Sequence, residues 1–407
     1  MGYIFLPFSY IAKYIHTIFK DQSYEELLDD VNTVIADIEN SEFMTADDDQ
    51  RGFINLIDIE SQIDSAIFEI TKRCNLECKH CWEGGSHSTE ELSTKEIISL
   101  IDELSMLKVF KIVITGGEPL LREDLSEILK RCTEKNIRVT VFTNGTLISE
   151  EFLDKIKECN VLIRFSIDGA KAETHDYLRG VGNFNTTIKA MKLCKEKGLD
   201  IGLACTITKK NFHEYNDILE LGKELGVKEI ELSEVIDKGN ATLNKDLMLD
   251  QSELEQLRVY NLLVSAKNES FRAGMGFDKE NENKFGNEEV IREYSCTAAI
   301  SNCFISAKGE VYPCTLFKTY KEFCGGNIKE NKLSDFWQNA EAFKKLRDLK
   351  INKINSCVTC ESFKFCPGGC RAKAYELTGQ LNGPMTDEFC ITSKNMLNRI
   401  KSGEFYK

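Results

Sequence analysis

The sequence predicts an α/β protein: a partial (β/α)6 barrel, preceded by a small helical extension and followed by a cysteine-rich, metal-organised domain. Three observations predict it. From about residue 65 to 240, short β-branched runs alternate with amphipathic helical stretches, the pattern of parallel βαβ units with right-handed crossovers. Residues 1–62 show helical spacing and end in an acidic linker. Nine of the sixteen cysteines fall between residues 296 and 390, where periodicity is weak. The 407 residues divide on this reading into 1–62, 63–275 and 290–407, a core with appended parts.

In the extension, "FSYIAKYIHTIF" and "SYEELLDDVNTVIADIENSEFM" place apolar residues at helical spacing before the solvated "TADDDQRG". The first twenty residues are not a signal peptide: they lack a basic n-region, Lys13 and His16 interrupt them, and no small-residue cleavage site follows. They are too short and polar to span a bilayer, and Leu6 breaks the myristoylation pattern. A cytoplasmic protein with no membrane partner is expected.

The barrel strands are expected at Ala66–Thr71, Lys111–Thr115, Arg138–Thr143, Leu162–Ile167, Ile201–Ile207 and Glu229–Val235. Between the first two, Ser93 and Glu96 form a capping box that starts a helix over "STKEIISLIDELSML". Six units are too few for a full TIM-like barrel but suit an open one, whose chemistry gathers at the C-terminal strand ends. A further helix is expected over Gln251–Lys267, and "DKENENKFGNEE" marks a boundary. The cysteine-rich segment beyond has few core-forming runs, so it is expected to fold around metal rather than a hydrophobic core.

Composition excludes some functions. A net charge of −14 offers no basic excess to neutralise nucleic-acid phosphates or an anionic membrane. Sixteen cysteines in a chain of this length without a signal point to metal rather than disulfides. Thiolates are soft ligands that suit zinc, copper(I) or iron–sulfur clusters.

"CNLECKHC" places Cys74, Cys78 and Cys81 after the first strand, spaced C-x3-C-x2-C. Zinc completed by His80 or His87 is one reading, but zinc ligands usually come as paired C-x2-C. The other is a [4Fe–4S] cluster with one iron left open. Three further turns close strands: Thr115-Gly116-Gly117-Glu118-Pro119, Thr143-Asn144-Gly145-Thr146 and Ser166-Ile167-Asp168-Gly169. Taken singly, each is ordinary turn chemistry.

Together these residues resemble the radical S-adenosylmethionine (SAM) enzymes, over about residues 65–240. His80 stands where that family usually has an aromatic residue. The resemblance implies that Cys74, Cys78 and Cys81 hold the SAM-binding cluster. It implies that Gly116, Gly117, Glu118 and Pro119 hold the methionine ammonium through backbone and acidic side chain, and that Asn144 belongs to the same cofactor-binding set. Ser166 and Asp168 would contact the ribose, and Arg179 in "HDYLRG" the cofactor carboxylate. SAM would bind the open iron, and one electron would cleave it to a radical that takes a substrate hydrogen. A flavodoxin- or ferredoxin-type donor is the implied electron source.

Downstream, Cys296, Gly309 and Cys314 read C-x12-G-x4-C; Cys357, Cys360, Cys366 and Cys370 read C-x2-C-x5-C-x3-C; Cys390 follows. This is similar to the SPASM domain, which carries two auxiliary [4Fe–4S] clusters and so brings the cofactors to SAM and three clusters. Carried over by position, one auxiliary cluster uses Cys296, Cys314 and Cys370 with Cys303 as fourth ligand, ahead of Cys324. The other uses Cys357, Cys360, Cys366 and Cys390. A zinc ribbon is open for the Cys357/Cys360 pair alone. Cys132, Cys159, Cys194 and Cys205 read as small apolar packers.

The extension resembles the helical half of a leader-peptide recognition element; a helical cap on the barrel is the alternative. The function implied is a maturase of a ribosomally made peptide of the sactipeptide or ranthipeptide type, forming a thioether or carbon–carbon crosslink. The substrate partner would be a precursor peptide or protein. An anaerobic sulfatase-maturing enzyme and a tetrapyrrole or quinone-cofactor enzyme are the alternatives, with a non-enzymatic electron carrier last.

Overall fold

A computed structural model describes residues 63–84, 90–267, 271–273, 296–350, 353–354, 357–362, 366 and 368–401. The N-terminal extension and its leader-peptide reading, like His87, lie outside the described residues.

Ten strands form one sheet in the order β10-β9-β8-β1-β2-β3-β4-β5-β6-β7. The six expected strands are its centre: β1 Ser65–Thr71, β2 Lys111–Gly116, β3 Arg138–Thr143, β4 Val161–Ser166, β5 Asp200–Ile207 and β6 Glu229–Glu234. They pair in chain order and all in parallel, as a partial barrel requires. β7 (Phe271–Ala273) extends one edge in parallel with β6.

The crossovers form as the capping and periodicity demand. Ser93 caps the helix Thr94–Met106 reciprocally with Glu96, and Ile97, Leu100, Ile101 and Leu104 on one stripe of it are buried. The alternate residues Ala66, Phe68 and Ile70 of β1 join the same core. The other face of β1 carries Glu69, which meets Lys318, and Thr71, which meets Glu91. The helix Gln251–Lys267 forms over its expected residues.

Inside the sheet curvature, Arg164 of β4 is buried and pairs with Glu229 and Glu231 of β6. Gly202 of β5 lies between; a Cβ there would stand 3.5 Å from Arg164 Nε, so the missing side chain opens the path. Removing one partner of a buried ion network strands the others. Arg164→Met is therefore expected to destabilise the chain by about 3–5 kcal/mol, read as a lowered midpoint in denaturant unfolding.

The segment after residue 296 corrects one expectation. It was expected to fold around metal rather than an apolar core. Instead β8 (Asn302–Ile305) pairs in parallel with β1, Ser65 opposite Asn302, and β9 (Glu310–Tyr312) and β10 (Gly326–Asn327) continue the sheet in antiparallel steps. Phe304, Phe317, Phe323, Phe336, Trp337 and Phe343 are all buried in the same core as the barrel. Burying each aromatic contributes on the order of 1.5–3 kcal/mol. Part of this segment is thus held by aromatics as well as by whatever its thiols bind.

Candidate functional site

The C-terminal ends of β1–β4 converge on the loop that carries Cys74, Cys78 and Cys81. Cys74 and Cys81 of this loop are partly buried and Cys78 is buried. Burial pushes the Cys78 thiol up to about 11, against the lowering effect of Arg179. A metal must therefore displace protons on binding.

The loop is tied from several sides. Gly117 N–H donates to Thr71 O (2.9 Å) and Glu118 N–H to Arg73 O (2.8 Å). Asn75 Nδ2 donates to Thr146 Oγ1 at 2.8 Å and accepts from Asn144 Nδ2 at 2.9 Å through its Oδ1. Asn240 Nδ2 and Asn244 Nδ2 cap the carbonyls of Cys78 and Lys79 at 3.0 and 3.1 Å. Six hydrogen bonds of this kind hold the three-thiol loop in place.

The glycine turn has a steric reason. At Gly116 φ is +139°, and a Cβ would lie 2.1 Å from Thr71 O; at Gly117 it would lie 2.1 Å from Arg73 O. Only glycine lets β2 end against the cysteine loop. Gly116→Ala is expected to cost at least about 1–3 kcal/mol from its backbone conformation alone. The expected result is loss of iron from the three-cysteine site, measured per chain after anaerobic reconstitution.

Two residues expected to contact the cofactor have protein partners here. Glu118 is 1% exposed and accepts from Thr143 Oγ1 (2.8 Å), Asn144 N (2.8 Å) and Leu120 N (3.1 Å). It ties the ends of β2 and β3 together, leaving the backbone of the turn, with Pro119 opening a 3-10 turn, as the part free to meet an ammonium. Asp168 is fully buried and accepts from Arg179 Nε, from Thr206 N (2.8 Å) and from His80 Nε2 (3.0 Å). Burial alone would raise its pKa, but the Arg179 guanidinium and His80 hold it well below the carboxylate range. That carboxylate positions Arg179. Arg179 Nη1 in turn stands 3.9 Å from Cys78 Sγ. Asn144 is buried and turns its Oδ1 onto Thr146, and Ser166 is half-buried at the end of β4.

The downstream cysteines form two sets. Cys296, Cys314 and Cys370 act on one another, and burial pushes Cys314 up to about 12. Cys303 is not brought to them. It sits in β8 opposite Ala66, 0% exposed in the apolar core, and burial alone pushes its thiol up to about 12. Cys324 lies beside Tyr312 and touches Gly326 O at 3.5 Å. The first set is therefore three thiols in this structure, and the carried-over fourth ligand Cys303 faces elsewhere because its strand position belongs to the core.

The second set lines one cavity: Cys357, Cys360, Cys366 and Cys390, with Met385, Phe389 and Ser362 among the walls. Ser362 Oγ is buried with no hydrogen-bond partner among the described residues. An apolar-walled cavity with four soft donors and one orphaned hydroxyl fits a cluster whose sulfur atoms accept weak hydrogen bonds. Among the described residues, no three Cys, His, Asp or Glu side chains close on a single ion; the ligands of a cube each grip a different iron and stand apart.

Sequence reasoning missed a charged bridge. Lys318 reaches Glu69 Oε1 (2.9 Å) and Glu83, and its Nζ stands 4.7 Å from the Trp82 ring centre. It joins the cysteine-rich segment to the loop just after Cys81. The available clue was Glu69, an acid inside the otherwise apolar strand "SAIFEIT".

Comparison with known proteins agrees with this geometry. The radical SAM superfamily profile matches residues 68–222, and that of an iron-sulfur cluster-binding domain, SPASM, matches residues 296–361. An AdoMet-dependent heme synthase of Methanosarcina barkeri is 32% identical over 77% of this chain and 92% of its own. A PqqA peptide cyclase of Granulibacter bethesdensis is 28% identical over 80% of this chain and 86% of its own. Among solved structures, Streptococcus suis SuiB bound to S-adenosylmethionine superposes with a TM-score of 0.65 at 17% identity, covering 90% of this chain and 83% of that one.

Proposed function

The chain belongs to the radical SAM superfamily, and on that premise we propose that it crosslinks a precursor peptide or protein through a thioether or carbon–carbon bond. It is a radical SAM enzyme with SAM and iron–sulfur clusters as cofactors. The proposed division of labour follows the sequence boundaries, with residues 63–275 as the radical core and 290–407 as the auxiliary-cluster part.

The observation that carries the reading is one three-thiol loop beside a separate cavity lined by Cys357, Cys360, Cys366 and Cys390. Joining X–H to Y–H removes two hydrogens. With SAM bound, the three-thiol cluster supplies the chemistry that removes the first as an atom, at the expense of one electron. The second leaves as a proton and an electron, and that electron needs an acceptor close to the product, which the second set of thiols would hold. The chain's own part is positional: Asn75, Asn240 and Asn244 fix the loop, and Asp168 aims Arg179 at Cys78. A peptide as substrate is supported by the peptide cyclase relative, alignable over 80% of this chain.

Reduction by a flavodoxin- or ferredoxin-type donor and a cytoplasmic location belong to the same proposal. Among the described residues no helix is long and apolar enough to cross a membrane. Co-expression with a short peptide encoded beside this chain is expected to yield a product lighter by about two daltons per crosslink, the mass of the two hydrogens removed. An unchanged peptide mass would count against it.

A second reading, a tetrapyrrole substrate, is favoured by the heme synthase relative at 32% identity. Anaerobic incubation with an iron porphyrin bearing propionate side chains separates the two: a changed porphyrin mass with an unchanged peptide supports the second.

A further inference from the structure

Arg371 directly follows Cys370 and opens the helix Arg371–Thr378. It is 1% exposed and heads the largest fully buried side chains. A guanidinium taken out of water needs compensation. All its hydrogen bonds here go to main-chain carbonyls: Nε to Gly369 O (3.3 Å), Nη1 to Leu381 O and Gly383 O (both 3.1 Å), and Nη2 to Gly368 O. No carboxylate pairs with it among the described residues.

The groups that supply negative charge are cysteines, and they come from both sets. Cys357 and Cys366 belong to the cavity set, Cys370 and Cys296 to the other. Burial lowers the Arg371 pKa, and these four cysteines favour its charged form against that burial. The geometry agrees. Gly368 packs with Ile354, Arg371 Nη2 and Cys357 Sγ around it, the latter two each 3.6 Å from where its Cβ would stand. On the other side, Arg371 directly follows Cys370, the N-cap of its helix. One cation thus stands between the two thiol sets, with four hydrogen bonds to carbonyls fixing it and its charge left to the sulfurs.

We propose that Arg371 is the shared counterion of two auxiliary clusters and holds the reduction potentials of both up. The inference rests on the reading that both thiol sets hold clusters. A buried positive charge stabilises the more negative, reduced form of each neighbouring cluster, so its loss makes both harder to reduce. The three-thiol cluster at β1 shares none of the residues that hold Arg371, whose partners are Gly368, Gly369, Leu381 and Gly383.

The test uses the full chain, anaerobically reconstituted, with midpoint potentials followed by electron paramagnetic resonance during redox titration. In Arg371→Met, both auxiliary midpoints are expected to shift negative, while that of the Cys74, Cys78, Cys81 cluster stays at the wild-type value. In Arg371→Lys, which keeps the charge, both should lie closer to wild type. Auxiliary midpoints unchanged in Arg371→Met at full iron content would overturn the proposal, as would a shift confined to one cluster. If Arg371→Met holds no auxiliary iron, Arg371→Lys decides: wild-type midpoints uphold the charge role, and midpoints that fall in both clusters overturn it. Wild-type protein that holds iron for one cluster alone would refute the cluster reading itself, separately from the role of Arg371.

Discussion

Replacing Cys74, Cys78 and Cys81 together by alanine is expected to abolish 5′-deoxyadenosine formation from SAM under reducing, anaerobic conditions. Outer-shell changes at metal sites already cost about 10–100-fold, so removal of the ligands themselves should exceed about 100-fold. The auxiliary sites should keep their iron, because their thiols come from Cys296 onward and share no ligand with the loop. Iron analysis beside the product assay separates loss of the cluster from loss of the fold. A triple variant that still makes 5′-deoxyadenosine would remove the loop from the reaction.

Asp168→Asn is expected to have the second-largest effect, on stability. The carboxylate is 0% exposed and is the partner of Arg179, His80 and the Thr206 N–H together. An amide keeps the shape but strands the Arg179 charge, whose pKa the carboxylate now raises despite burial. Losing one member of a buried pair costs about 3–5 kcal/mol. The check is the thermal unfolding midpoint of reconstituted protein, which should fall by several degrees. Arg179 should also lose its hold beside Cys78, so the three-thiol site should exchange iron with a chelator faster. A midpoint and exchange rate equal to wild type would show that the cluster of charges is not held as described.

The central strands were legible because each is a near-continuous β-branched run bounded by turn residues. "RVTVFT" spans β3 over the expected residues, and the other five strands differ from expectation by a single residue at one end or both. The capping box and the helix Gln251–Lys267 follow from local chemistry in the same way. The cysteine-rich part was harder for a physical reason. Its strands are two to four residues long, too short to show a period, and its core comes from scattered aromatics such as Phe317 and Trp337. Pairing with β1, a contact across more than 230 positions, leaves no local trace.

At the site, spacing identified which residues gather, but not what each side chain faces. Glu118, Asp168 and Cys303 all carry chemistry that suits a cofactor. Their partners in the structure, Thr143, Arg179 and the core around Ala66, are not adjacent in sequence and leave no local trace. Arg371 shows the reverse: an arginine beside a cysteine is unremarkable in sequence, and only burial without a carboxylate reveals it.

The central claim is that one chain builds an open-iron cluster at Cys74, Cys78 and Cys81 and a closed cluster at Cys357, Cys360, Cys366 and Cys390. Iron-57 Mössbauer spectroscopy of the reconstituted chain, with and without SAM, tests it most directly. Addition of SAM should change the parameters of one iron in one cluster and leave the others as they were. Spectra that do not respond to SAM, or that respond only when Cys357, Cys360, Cys366 and Cys390 are intact, would contradict it.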